Sequence, residues 1–202
     1  MLFRSLGGVP QVLMMSQSGV TSVAPADGAV LWEHAWDGVP IVQPAVTPEG
    51  DVLICTGGGA GGLGMRRLAV RRGDSGGTVE ERWTSRGLKP YFNDSVVHKG
   101  CVYGIDGHLL ACMDLGEGSR RWKDGRYGNG QVLLLEAQDL LVVLSEQGEV
   151  ALVEASPSGF QEVARVPAIQ GKTWNHPALV GDVLLVRNSE EMAALRLASA
   201  GR

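Results

Sequence analysis

The chain has 202 residues, a formal net charge of −4, 44% hydrophobic and 20% charged residues. It holds no apolar run of about 18 residues, so no membrane-spanning helix is expected, and its acidic balance argues against nucleic acid as a partner. Three cysteines are too few for a disulfide framework and leave the redox compartment open.

Glycine is high, at 29 residues, and spread along the chain, which predicts many turns and short strands. Met1-Leu2-Phe3-Arg4 leads at once to Gly7-Gly8-Val9-Pro10, without the charged and apolar regions of a signal peptide. The expectation is a chain that starts inside its fold. Apolar runs of about four to eight residues then alternate with turn signals, and no segment sustains a 3.6-residue period.

The first unit has Gln11–Met15, a turn at Ser16–Gly19, Val20–Ala24 and Ala29–Trp32, and Leu2–Leu6 is its only candidate for an innermost strand. The second has Pro44–Val46, Asp51–Cys55, a long glycine loop, Arg67–Arg71 and Val79–Trp83. The third has Ser95–His98, Cys101–Ile105, a turn at Asp106-Gly107, His108–Met113 and Ser119–Trp122. The fourth has Gln131–Leu135, Leu140–Leu144, a turn at Glu146–Gly148, Glu149–Val153 and Phe160–Arg165. The fifth has Pro177–Val180, Val183–Val186 and Met192–Leu197 and lacks an outermost strand.

A four-stranded meander of about 40 residues is the size of a propeller blade. The fold expected is therefore all-β: a single partial β-propeller over 1–202, with blades near 11–38, 39–88, 89–125, 126–170 and 171–202. A short phrase recurs: Ser22–Trp32 and Cys112–Trp122 each run from a strand through Gly28 or Gly118 to a tryptophan four residues on. A β-sandwich would not repeat one phrase at this period. Leu2–Leu6 is free to complete the fifth blade and close the ring. Alternatively the chain is part of a seven- or eight-bladed ring, whose open edges need the remaining blades or a second copy.

Aligning Ser95, Gln131 and Pro177 brings Asn93, Asn129 and Asn175 to one position and Asp94, Gly130 and His176 to the next. Tyr91-Phe92, Arg126-Tyr127 and Lys172-Thr173-Trp174 flank them. Innermost strands line a propeller's channel, so these residues should converge on one mouth. Asn93, Asp94, Tyr127, Asn129, Gln131, Trp174, Asn175 and His176 are the candidates to bind a polar ligand with a flat ring or sugar face. The competing reading is that each asparagine closes a local turn.

Gly59–Gly64 matches G-x-G-x-x-G, but Met65–Arg72 alternates like a strand where a dinucleotide site needs a helix, so a hairpin loop is expected. The arginines of that segment suit a solvated strand better than a phosphate site. A two-residue turn at Asp106-Gly107 would set Cys101 opposite Cys112, within disulfide reach, although free buried thiols are the expectation. No Cys/His cluster has zinc-ligand spacing.

The tryptophan phrase resembles the PQQ-like repeat of β-propellers, which includes quinoprotein alcohol dehydrogenases, BamB-type outer-membrane assembly factors and uncharacterised bacterial relatives within the wider WD40/YVTN-like group. Val79–Asp94 and Gly171–Pro177 also look like that family. The resemblance covers the chain but only the C-terminal part of typical members, which carry export signals, and so implies a periplasmic or extracytoplasmic place. It implies that Trp32, Trp83 and Trp122 lie against the neighbouring blade, with Gly28 and Gly118 shaping the turn and Asp114 bonding its amides. Ala24 stands where the phrase usually has Asp, and the fourth unit has no tryptophan. The function implied is a non-catalytic binding or scaffold module, serving a small polar ligand or a protein partner. The alternative is a PQQ- and calcium-dependent dehydrogenase, or a remnant of one, although the hallmark adjacent cysteines are absent.

Overall fold

A computed structural model describes residues 1–58, 61–73 and 76–197. It is all-β, with a single 3-10 turn at Glu136–Gln138 and no α-helix among the described residues. The first sheet holds β1 (Leu2–Leu6), β2 (Val9–Ser16), β3 (Gly19–Val23) and β4 (Val30–Ala35). The second holds β5 (Ala45–Val46), β6 (Val52–Gly58), β7 (Gly61–Gly73) and β8 (Gly76–Ser85). The third holds β9 (Val96–His98), β10 (Cys101–Asp106), β11 (Leu109–Asp114) and β12 (Arg120–Arg126). The fourth holds β13 (Gln131–Leu135), β14 (Leu140–Leu144), β15 (Glu149–Glu154) and β16 (Glu162–Pro167). The fifth holds β17 (Ala178–Val180), β18 (Val183–Arg187) and β19 (Met192–Arg196). Each is an antiparallel meander in chain order, and the inner strands β5, β9 and β13 lie side by side. This is the arrangement of a partial β-propeller.

Blades pack face to face through separate apolar cores. Leu13, Val20 and Trp32 meet Val52, Ile54 and Leu68 between the first two blades. Leu53, Cys55 and Met65 meet Val102, Ala111 and Met113 between the next pair. Tyr103, Ile105 and Cys112 meet Leu141, Val143 and Val153 at the third interface. Val142, Leu144 and Val150 meet Leu184 and Val186 at the fourth. Central strands therefore bury both faces, as the unbroken burial of β10 shows. Each fully buried aliphatic side chain contributes about 1.5–3 kcal/mol.

Tryptophans reinforce these seams. The Trp83 indole donates to the Leu115 carbonyl of the following blade at 3.0 Å, and Trp122 to that of Ser156 at 2.8 Å. Trp32 packs its ring on Gly77 of the second blade but donates to Gln11 of its own sheet at 2.6 Å. The Asp114 carboxylate accepts the Glu117 amide at 2.9 Å, and its pKa is lowered, chiefly by the Arg121 hydrogen bond.

Four expectations need correction. Leu2–Leu6 pairs with β2, not with the fifth blade, because Gly7-Gly8, both at positive φ, turn the chain straight back. The glycine loop of the second blade is largely ladder, with Gly57 opposite Gly62 and Gly58 opposite Gly61, while Gly59 and Ala60 lie outside the described residues. The hairpin after β10 turns at Gly107-His108, so Asp106 pairs with Leu109. That one-residue slip sets Tyr103 opposite Cys112 and Asp114 opposite Cys101, and all three cysteines are free and buried. Finally, two arginines are not on a solvated strand. Arg66 reaches back to His34 at 2.9 Å and lies over Trp36, and Arg67 reaches forward to the Leu115 carbonyl at 2.9 Å. Both tie neighbouring blades.

Candidate functional site at the inner rim

The segments leading into β9, β13 and β17 come together on one rim. Asn93, 1% exposed, donates its amide to the Gly130 carbonyl of the next blade at 2.6 Å. Gln131, also 1% exposed, donates to the Trp174 carbonyl of the blade after at 3.1 Å. The rings of Phe92 and Trp174 lie 4.9 Å apart, and His176 approaches Asp94 at 3.5 Å. Asp94 also accepts the Gln43 backbone amide at 3.1 Å. Asp94 thus joins the second, third and fifth blades.

The hub of the rim is Glu146, which sequence reasoning read only as a turn residue. It accepts the Asn129 backbone amide at 3.0 Å and the Trp174 indole N–H at 2.7 Å. Burial alone would raise its carboxyl, but these donors outweigh burial and hold it below the usual carboxylate range. Gly128 is required beside it, since a Cβ there would run into the Glu146 side chain. A signal was available in the topology. In a four-stranded blade the turn between the second and third strands lies at the end where the first strand begins. Glu146 sits in such a turn, and so does Asn188, which donates to the Gln170 carbonyl at 2.6 Å and accepts the Glu190 and Glu191 amides. The bond to Gln170 anchors the start of the segment leading into β17, and the Thr173 amide adds a bond to the Glu146 carbonyl at 2.9 Å.

The predicted residues divide. Asn93, Asp94, Asn129, Gln131, Trp174 and His176 are linked by the contacts above. Asn175 is half-buried beside them and makes no side-chain hydrogen bond among the described residues. Tyr127 lines the cleft beside Glu146 but is 2% exposed: it packs on Phe160, donates to Glu162 and is covered by the Arg165 guanidinium at 4.8 Å. Its ring offers no open face. Among the described residues, no asparagine of the three closes a local turn with its own side chain.

The rim offers mainly acceptors and an aromatic face. The Asn93 Oδ1, Gln131 Oε1 and Ser95 Oγ atoms are buried without a partner among the described residues, and such groups normally find one. Trp174 is 38% exposed and already carries the Lys172 ammonium 3.3 Å over its ring. Beside Glu146, a cleft of about 480 Å³ is lined by His108, Arg126, Ser145 and Arg165 among others. Among the described residues no group of His, Cys, Asp and Glu is arranged to hold a metal ion.

No protein-family model matches this chain, and neither does any curated protein. Solved structures do. BamB from Moraxella catarrhalis is similar over 95% of this chain and 68% of its own, with a TM-score of 0.51 and 14% identity. A Bacteroides caccae protein of unknown function is similar over 87% of this chain and 66% of its own, at TM-score 0.60 and 15% identity. The computationally designed protein Ika8 is similar over 93% and 68%, at TM-score 0.55 and 11% identity. This chain therefore spans about two thirds of the length of these structures, and at such identities what they share with it is the propeller-like fold.

Proposed function

We propose that this chain is a non-catalytic propeller module for binding or scaffolding, with its ligand site on the rim around Asn93, Gln131 and Trp174. The observation that carries this reading is the pair of buried amide oxygens without donors among the described residues, Asn93 Oδ1 and Gln131 Oε1, on a rim where Gln131 also bonds the backbone of the 38% exposed Trp174. A ligand that offers hydroxyl or N–H donors and a flat or sugar-like face meets both needs. The likeness to BamB supports a scaffold role and an extracytoplasmic setting.

The rim fits a calcium-held quinone poorly. Calcium takes about six to eight oxygen ligands, whereas both Asp94 oxygens are engaged by Gln43 and His176, and both Glu146 oxygens by Asn129 and Trp174. Two amide oxygens and the Ser95 hydroxyl remain, and no step is derived through such a group.

The test is a titration with a panel of neutral mono- and disaccharides, read by the indole N–H resonance of Trp174. At least one member should shift that resonance, and Asn175→Ala should weaken the response about tenfold or more without moving Tm. Silence across the panel would remove the sugar-binding form of this reading. A thermal shift with PQQ and calcium, together with dye-linked alcohol oxidation, would replace it by the catalytic one.

A further inference from the structure

We propose that the open face of the first blade is a docking site for a partner β-blade that carries a tryptophan on its outer strand. The argument rests on the repeated turn. Ala24–Ala29 and Asp114–Ser119 share both backbone hydrogen bonds: Ala24 N to Ala29 O at 2.8 Å and Gly28 N to Ala24 O at 2.9 Å, against 2.8 and 2.9 Å in the second turn. Gly28 and Gly118 have φ of +75° and +70°. Both turns follow a bulge at the same place, between Ser22 and Val23 and between Cys112 and Met113.

Their surroundings differ at the glycine. A Cβ on Gly118 would lie 3.0 Å from the Trp83 ring of the preceding blade, whose N–H bonds the Leu115 carbonyl. A Cβ on Gly28 would meet nothing within 4 Å. Pro25, the counterpart of Leu115, therefore presents its carbonyl beside an open glycine, which is the receptor that Trp83 fills one interface along.

The strand surface around this turn matches a used interface as well. Phe3, Val12 and Val23 stand in register across the first blade as Val46, Val52 and Leu68 do across the second. The second set contributes to the core against the first blade, while Phe3 is 59% exposed, Met14 47% and Val30 59%. The face thus repeats an established blade seam without its mate. Strands β17–β19 contain no tryptophan, so a second copy of this chain would cover the apolar surface and leave the indole receptor unfilled.

The test uses full-length chain labelled with ¹⁵N-glycine and a synthetic peptide of residues 78–87, which contains Trp83. The Gly28 amide should shift saturably with this peptide and not with its Trp83→Ala form. Gly28→Asn, which tolerates positive φ but adds a side chain, should weaken the response about tenfold or more. A second measurement extends the chain ahead of Met1 with a copy of residues 39–94. Its Tm should rise by about 2–4 °C, and Gly28→Asn should remove that gain. No peptide shift together with no gain in Tm overturns the proposal. So does a dimer of the wild-type chain that Met192→Lys abolishes, because the occupant would then be a second copy.

Discussion

Glu146 concentrates at one carboxylate the bonds that order the rim, and its removal is the most informative single change there. Glu146→Gln keeps the shape but loses the charge that attracts the Asn129 and Trp174 donors. The expected cost is about 1–2 kcal/mol at neutral pH, the difference between charged and neutral acceptors. The sign with pH follows from its lowered folded-state pKa. Its stabilisation is complete above the ordinary carboxylate value and is lost as pH falls through the depressed one. Urea unfolding of both proteins from pH 7 downward should therefore show a gap that narrows as pH falls through the carboxylate range. No gap at pH 7 would mean that Glu146 acts by shape alone. The two turn glycines provide a second contrast at this scale. Gly28→Ala meets open space and should lose only the conformational term, about 1–2 kcal/mol. Gly118→Ala adds a clash with Trp83 and should cost about 2–5 kcal/mol. Equal losses in urea unfolding would show that the ring at Gly118 moves aside freely.

At the scale of the element, β10 and β11 show how a short strand can be buried on both faces. Val102 and Met113 point into the seam with the second blade, Tyr103 and Cys112 into the seam with the fourth. Burial pushes the Cys112 thiol up to about 12, with Cys101 adding to the shift, and burial likewise raises that of Cys55. All three thiols are buried and should, for that reason, resist a disulfide reagent at pH 8 and react together on unfolding. Rapid labelling of native protein would contradict this packing. The strands themselves were legible because apolar runs and glycine turns punctuate the chain at blade period. Register was less so. Asp106-Gly107-His108 permits two turns that differ by one residue, and tertiary packing of Tyr103 against the next blade accompanies the one adopted. The three asparagines were found by alignment, and their convergence followed from blade topology. Glu146 escaped because turns were read as connections rather than as parts of the rim. The hold of Phe160, Glu162 and Arg165 on the Tyr127 ring was not legible, because these neighbours are distant in sequence.

For the whole molecule, the decisive feature is that identical positions meet different fates along the arc. Met14 in the first blade and Ile54 in the second are register equivalents, paired respectively with Thr21 and Arg66. Ile54 is fully buried against the first blade, whereas Met14 is 47% exposed on the outer face. The opposite end matches it: Val180 is 71% exposed and Met192 70%. Exposed apolar surface of this kind marks an interaction face or an aggregation liability. Ile54→Gln should cost about 3–5 kcal/mol, through lost burial and an unpaired amide in a closed seam. Met14→Gln should change stability by less than about 0.5 kcal/mol while lowering the binding of a hydrophobic dye and raising solubility. If Met14→Gln proved as costly as Ile54→Gln, the outer face would already be covered in solution. The two substitutions together therefore report whether the first blade stands open, using the buried seam beside it as the internal reference.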